Sequence, residues 1–168
     1  IGGSVCMIWD LSYMDTALSA GMAGSVDAVT FHEYTADETA LYTHVPALEA
    51  LIRLHDPKIR LIQGESGSQS RSDGCGALAG GAWTPERQAK QCLRHAVADL
   101  STDVLFSSYF SCMDMIEALN GKVGDKTSYL DYGYFGILGA DFDENGFSSG
   151  EYSPKPSYYA YQNLCSVF

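Results

Sequence analysis

The sequence predicts an α/β fold built from parallel βα units, and three observations carry that prediction. Strand-like and helix-like segments alternate along all 168 residues, with no long linker, repeat or low-complexity tract between them. Helix-start chemistry falls between the strand-like segments, most clearly in Thr84-Pro85-Glu86, where a capping hydroxyl is followed by a proline that costs no hydrogen bond. A short apolar run, Ile59 to Gln63, ends on Gly64-Glu65-Ser66-Gly67, so a buried strand stops abruptly at a carboxylate between glycines. Strands separated by helices form a parallel sheet with right-handed crossovers, either covered on both faces or closed into a barrel.

Ile1 to Val5 closes a first strand, and Leu11, Met14, Leu18 and Met22 then recur at helical spacing, with Gly24 as a stop. Val26 to Tyr34, rich in β-formers, is the second strand. A helix of about ten residues is expected to start near Pro46, turn Val45, Leu48, Leu51 and Ile52 inward and end at Asp56-Pro57. Ile59 to Glu65 is the third strand, and alternation places Leu61, Gln63 and Glu65 on one face. Residues 66 to 83 form a long loop rich in glycine and serine, a length and composition often tied to function. Thr84 then caps a helix whose apolar stripe is Ala89, Cys92, Leu93, Ala96, Val97 and Leu100. Val104 to Phe110 is the fourth strand; an irregular stretch rich in Gly, Asp and Tyr runs to about residue 153, and Lys155 to Phe168 closes the chain as a helix.

Four βα units are visible, and a complete (β/α)8 barrel takes about 250 residues, so residues 1–168 are expected to be a single partial barrel of about half that size. Its first and last strands would then have unpaired edges, which predicts either self-association or pairing with a missing N-terminal half.

A hydrophobic content of 46% with 18% charged residues is that of an ordinary globular protein. A net charge of -11 without any Lys/Arg cluster excludes nucleic acid as a partner and suits a neutral or cationic ligand. No apolar run is long enough to cross a bilayer, and the first residues, Ile1-Gly2-Gly3-Ser4-Val5, carry no basic leader before an apolar stretch, so neither a membrane span nor an export signal is expected within the sequence. Cys6, Cys75, Cys92, Cys112 and Cys165 contain no Cys-x-x-Cys pair, which argues against a zinc or redox site. Cys92 is a small core residue of its helix, and a bridge between Cys75 and Cys112 is not favoured. Cysteine usage fits a secreted and a cytoplasmic protein equally.

Asp141-x-Asp143-x-Asn145-Gly146 opens like a calcium loop, but its twelfth position is Tyr152, with Glu151 one place too early for the bidentate ligand; it is read as an acidic turn, and no metal is expected. Gly64-Glu65-Ser66-Gly67-Ser68 lacks the final glycine of a serine-hydrolase elbow, and no glycine fingerprint for a nucleotide follows a strand, so no cofactor is expected. Glu65 taken alone reads as a solvated loop residue, as most glutamates are. Its position changes that reading, because the carboxyl ends of interior strands are where parallel α/β folds place their active sites. Thr30, His32 and Tyr34 alternate onto one face, which is expected to bring His32 and Tyr34 beside Glu65.

These strand ends resemble the C-terminal half of a retaining glycoside hydrolase of clan A, the (β/α)8 barrels with catalytic glutamates after strands 4 and 7. Asp27-Ala28-Val29-Thr30-Phe31 followed by His32-Glu33-Tyr34 is similar to the sixth strand of that clan and its His-x-Tyr end. Gly64-Glu65-Ser66-Gly67 is similar to the end of the seventh strand, and Lys155-Pro156-Ser157-Tyr158-Tyr159-Ala160 to the final helix. The resemblance covers nearly the whole chain and implies strands 5 to 8 of a TIM barrel, a carbohydrate substrate, and hydrolysis with retention by two carboxyl groups about 5 Å apart. It implies Glu65 as nucleophile, Tyr34 as a hydrogen-bond donor to it and His32 as a contact to a sugar hydroxyl. The residues alone equally allow His32 as a satisfied core imidazole and Tyr34 as a packing aromatic. Tyr109 or Phe110 would give a surface on which a sugar ring stacks, or would simply pack the core. Gln69 and Arg71 would reach substrate hydroxyls, or belong to a solvated loop. The family's acid/base glutamate follows an asparagine, and this sequence contains no Asn-Glu pair. That departure keeps a second expectation open, a non-catalytic carbohydrate-binding or scaffold half barrel.

Overall fold

The protein is described by a computed structural model at residues 2–5, 10–117 and 131–168, and these fall into two compact units. The first unit comprises residues up to Ser66 together with Arg94–Tyr109. It holds a four-stranded sheet of β1 (Gly2–Val5), β2 (Ala28–His32), β3 (Arg60–Ser66) and β4 (Val104–Tyr109), all parallel and in the order β1-β2-β3-β4. Each strand pairs with the next one in the chain, so the order never reverses. Right-handed crossovers that always advance in one direction keep the connecting helices on one face of the sheet.

Those helices are α1 (Leu11–Ala17), which continues into a π turn over Leu18–Met22, α2 (Leu41–His55) and the end of α3 (Pro85–Leu100). Met14, Leu18, Leu41, Val45, Leu48, Ile52 and Ala98 pack on Val29, Phe31 and Leu61 of the sheet. The odd-numbered positions of β2 and the first half of β3 therefore look toward the helices.

Helix boundaries differ from the sequence expectation where packing overrides a local signal. The first helical segment breaks at Gly21, with φ 110°, and not at Gly24. Helix α2 starts at Leu41 after a 3-10 turn at Glu38–Ala40, which leaves Pro46 inside the helix and not at its first turn. An interior proline costs about 3 kcal/mol. The buried side chains Leu41, Val45, Leu48 and Ile52 return about 1.5–3 kcal/mol each, so burial decides.

Helix α3 starts as predicted, with Pro85 as its first residue and the Thr84 hydroxyl accepting the Arg87 N–H at 3.2 Å. Its inner face does not follow the apolar stripe. Gln88, Gln91, Cys92, His95, Ala98 and Asp99 are buried, while Val97 and Leu100 are 48% and 59% exposed. A helix turns a polar stripe inward only where each polar group is hydrogen-bonded or paired, and Gln88, His95 and Asp99 meet that condition.

The second unit comprises Gly67–Leu93 and Phe110–Phe168. It contains two small antiparallel pairs, β5 (Met115–Ile116) with β6 (Tyr132–Gly133) and β7 (Leu138–Phe142) with β8 (Ser148–Pro154), followed by α4 (Pro156–Val167). The aspartate-rich segment is the β7–β8 turn, in which Asp143 Oδ1 accepts the N–H groups of Asn145 and Phe147 and Gly146 takes φ 80°. Gln88 links this unit internally. Its Nε2 lies 3.0–3.3 Å from the carbonyls of Ser68, Tyr134, Phe135 and Gly136, and its Oε1 accepts the Ser157 hydroxyl.

Candidate active site

Glu65 reaches its position through a β-bulge. Strand pairing runs Thr30 to Ile62 and Phe31 to Gln63, then slips, so that His32 faces Glu65. One extra residue on β3 turns Glu65 onto the face opposite Leu61 and Gln63. The expectation from strict alternation, that Leu61, Gln63 and Glu65 share a face, is therefore corrected. Leu61 and Gln63 lie buried at 2% and 0% exposure, whereas Glu65 joins the face of Thr30 and His32. Gly64 makes the bulge possible, because a Cβ there would lie 2.3 Å from Thr30 Cγ2 and 2.9 Å from His32 Nε2. Glycine is required for this close approach of strand and side chain.

On that face the Tyr34 hydroxyl donates to Glu65 Oε2 at 3.0 Å, and His32 Nδ1 lies 3.4 Å from the same oxygen. His32 and Glu65 are part-exposed, at 28% and 39% of their side-chain surface, so the group is accessible from solvent. Both contacts fall on Oε2. This geometry orients the carboxyl group.

Glu33, between His32 and Tyr34, points to the helix side and is fully buried. Its carboxylate lies 3.5 Å from His44 Nδ1, longer than a firm hydrogen bond. Burial raises its proton affinity above the usual 4.5, partly offset by His44 and by the charge of His95, while Asp99 pushes it further up. The folded state therefore holds the Glu33 proton more tightly than the unfolded chain. Stability from this group is full below the ordinary glutamate value and is lost as pH rises through the raised one. Glu33→Gln is accordingly expected to raise Tm by a few degrees at pH 7.5 and to leave it nearly unchanged at pH 4, as read by differential scanning calorimetry.

The other residues proposed from sequence have identifiable places. Tyr109 ends β4 and pairs in register with Ser66, whose hydroxyl donates to the Ser108 carbonyl. Phe110 packs edge-on against Phe135 at 5.6 Å. Gln69 is fully buried; its Nε2 donates to the carbonyls of Cys75 and Ala77 and its Oε1 accepts the Tyr134 N–H, so its amide braces the loop. Arg71 stacks on Tyr134 at 4.5 Å and pairs with Asp73. It lines a cleft of about 500 Å³ in the second unit, alongside Asp114 and Lys155. The Lys155 ammonium donates to Asp114 and to the Ser70 hydroxyl. Burial dominates both partners, raising Asp114 and lowering Lys155 despite their contact.

Cys75, Cys92, Cys112 and Cys165 are free thiols, and burial pushes Cys92 up to about 12. Among the described residues no cluster of His, Cys, Asp and Glu has the arrangement of a metal site, and no helix is long and apolar enough to cross a membrane.

Sequence reasoning missed Gln63 and His95, which hold the backbone behind the site. The Glu33 N–H donates to Gln63 Oε1, and His95 Nε2 lies 3.2 Å from the Glu33 carbonyl. The available signal was the polar spacing Gln88, Gln91, His95 and Asp99 on α3, which repeats at three and four residues like a buried stripe.

No protein-family model matches this chain, and no curated protein does. Solved structures do. A GH2 beta-galacturonidase from Eisenbergiella tayi superposes with a TM-score of 0.65 at 13% identity, covering 99% of this chain and 27% of that one. A b-glucuronidase from Ruminococcus gnavus gives 0.58 at 10% identity, covering 97% of this chain and 25% of that one. A GH128 endo-beta-1,3-glucanase from Amycolatopsis mediterranei gives 0.54 at 16%, covering 96% and 56%. The chain thus spans about a quarter of the first two proteins and just over half of the third. At such identities the likeness establishes the fold: an α/β arrangement of the kind found in glycoside hydrolases.

Proposed function

We propose that this chain is the nucleophile-bearing half of a retaining glycosidase barrel, acting on a carbohydrate through Glu65. The observation that carries the reading is the presentation of Glu65 at the carboxyl end of an interior parallel strand, with Tyr34 and His32 both on Oε2. Four parallel strands in unbroken order, with their helices on one face, are the arrangement of consecutive strands in a (β/α)8 barrel. In that role Oε1 attacks the anomeric carbon, a covalent glycosyl-enzyme forms as the leaving oxygen takes a proton from a second carboxylic acid, and water then releases the sugar with retention. Tyr34 fixes the plane of the nucleophile and His32 contacts a sugar hydroxyl.

The acid/base carboxyl is supplied from outside this chain, since no Asn-Glu pair occurs in it. β1 and β4 are the sheet edges, and further βα units pair with them to close the barrel, from an N-terminal half or from a second copy. Tyr109, at the end of β4, and Phe110 remain the sugar-stacking candidates, and Gln69 acts indirectly by shaping the loop after β3. Several of the structural relatives act on uronides, yet a chain of net charge -11 favours a neutral glycan.

The test is trapping. A 2-deoxy-2-fluoro glycoside with a good leaving group, incubated with the protein carrying its complementing half, is expected to label Glu65 by peptide mass mapping. A label on any other residue overturns the assignment. The missing Asn-Glu pair favours one competing reading, a half barrel that binds glycan without cleaving it, which glycan binding without turnover or labelling in the complemented protein would support.

A further inference from the structure

The backbone of residue 33 is held in an unusual way. β2 stops pairing at His32, where the bulge displaces β3, so residue 33 lies beyond the ladder. Its N–H and carbonyl are nevertheless engaged by side chains, the N–H by Gln63 Oε1 and the carbonyl by His95 Nε2, each at 3.2 Å. His95 is in turn fixed through Nδ1, 3.2 Å from Asp99 Oδ2, and that same oxygen accepts the Ser107 hydroxyl from β4. A continuous chain of contacts thus runs from β4 through α3 to the end of β2.

His95 and Asp99 are 3% and 0% exposed. Burying such a polar pair is costly before its contacts are counted, and apolar residues would fill the same space at lower cost. What the pair gains is a fixed location for the carbonyl of residue 33, which lies between the two residues that contact Glu65. An imidazole held by a carboxylate on one nitrogen has a defined ring orientation on the other. Glu33, just after β2, and His44 from α2 are the further titratable groups facing this cluster.

We propose that His95, oriented by Asp99 and Ser107, is the positioning residue of the Glu65 site: it clamps the carbonyl of residue 33 so that His32 and Tyr34 converge on Glu65 Oε2. This rests on the reading of Glu65 as the functional centre. His95 touches no substrate; it acts through the backbone.

The test uses the full chain, isotopically labelled, with His32, Tyr34 and Glu65 followed by NMR in the parent and in His95→Ala, His95→Gln and Asp99→Asn. His95→Ala is expected to move the Tyr34 ring resonances and the side-chain resonances of His32 and Glu65. His95→Gln, whose amide N–H reaches the same carbonyl, is expected to restore both. In a turnover assay of the complemented protein, kcat falls about tenfold for His95→Ala while KM stays within about twofold. A folded His95→Ala protein whose three reporter side chains are unchanged overturns the proposal. Where His95→Ala does not fold, Asp99→Asn decides in the same way: displaced reporters support the clamp and undisturbed ones refute it. A failure of the glycosidase reading looks different, as a parent protein without turnover or Glu65 labelling whose NMR response to these variants persists.

Discussion

On the proposed reading, Glu65→Gln in the complemented protein is expected to lower kcat on the order of 10⁴-fold, the scale seen when a group that acts directly on the reacting atoms is removed, and to leave the melting temperature almost unchanged. The two effects separate because the side chain is part-exposed and its contacts to Tyr34 and His32 lie at the surface of the sheet end, where such bonds contribute little to stability. Glutamine keeps the volume and can still accept the Tyr34 hydroxyl through its amide oxygen, so the loss reports nucleophilicity and not collapse of the site. Glu65→Ala opens space instead, and a small anion such as azide is then expected to restore turnover with a product of inverted configuration. Tyr34→Phe is predicted to be milder. It removes the bond that sets the carboxyl plane without touching the nucleophile, and a misaimed attacking oxygen costs about 10²-fold in kcat. If Glu65→Gln retained parental kcat, or if Tyr34→Phe were the more damaging of the two, the assignment of roles would be wrong.

The residues of this site were legible in the sequence, but the way they meet was not. His32 and Tyr34 share a face by alternation, and Glu65 marks a strand end. Alternation then predicted the wrong face for Glu65 in its own strand, because a bulge changes parity without leaving a motif. Gly64 was its only trace, and glycine at a strand end has several uses. Helix α3 shows the complementary limit. Its start was fixed by Thr84 and Pro85, which act locally, whereas its buried face was set by distant partners that no local pattern reveals: Ser107 on β4 for Asp99 and the carbonyl of residue 33 for His95. Apolar periodicity assigned Val97 and Leu100 to the interior, yet that face of α3 is turned outward. Pro46 likewise signals a helix start only until a buried stripe beginning at Leu41 outweighs its cost. Sequence reasoning worked where the controlling interaction lay within a few residues, and failed where burial of polar groups depended on contacts 30 and 62 positions away, as with Gln63 or His95 and Glu33.

The largest loss of stability is expected at Gln88, within the second unit. Its amide group is fully buried and faces the carbonyls of Ser68, Tyr134, Phe135 and Gly136, while its oxygen takes the Ser157 hydroxyl from α4. Two N–H groups serve four carbonyls, so the side chain shares two good hydrogen bonds among segments that are otherwise joined by turns. Gln88→Leu preserves the volume and orphans at least two buried acceptors and one hydroxyl, at about 1–3 kcal/mol each. A total of about 3 kcal/mol corresponds to a fall in Tm of about 6–12 °C for a protein of this size. Gln88→Glu separates hydrogen bonding from packing. It retains an acceptor for Ser157 but points carboxylate lone pairs at carbonyl oxygens, so at neutral pH it is predicted to be worse than leucine. Protonation then returns one O–H donor, and because the native state favours the protonated form, the variant must gain stability relative to the parent as pH falls. Thermal melts between pH 4 and pH 7.5 would show this crossing, and parallel curves for the parent and Gln88→Glu would mean that the four carbonyls are satisfied without Gln88.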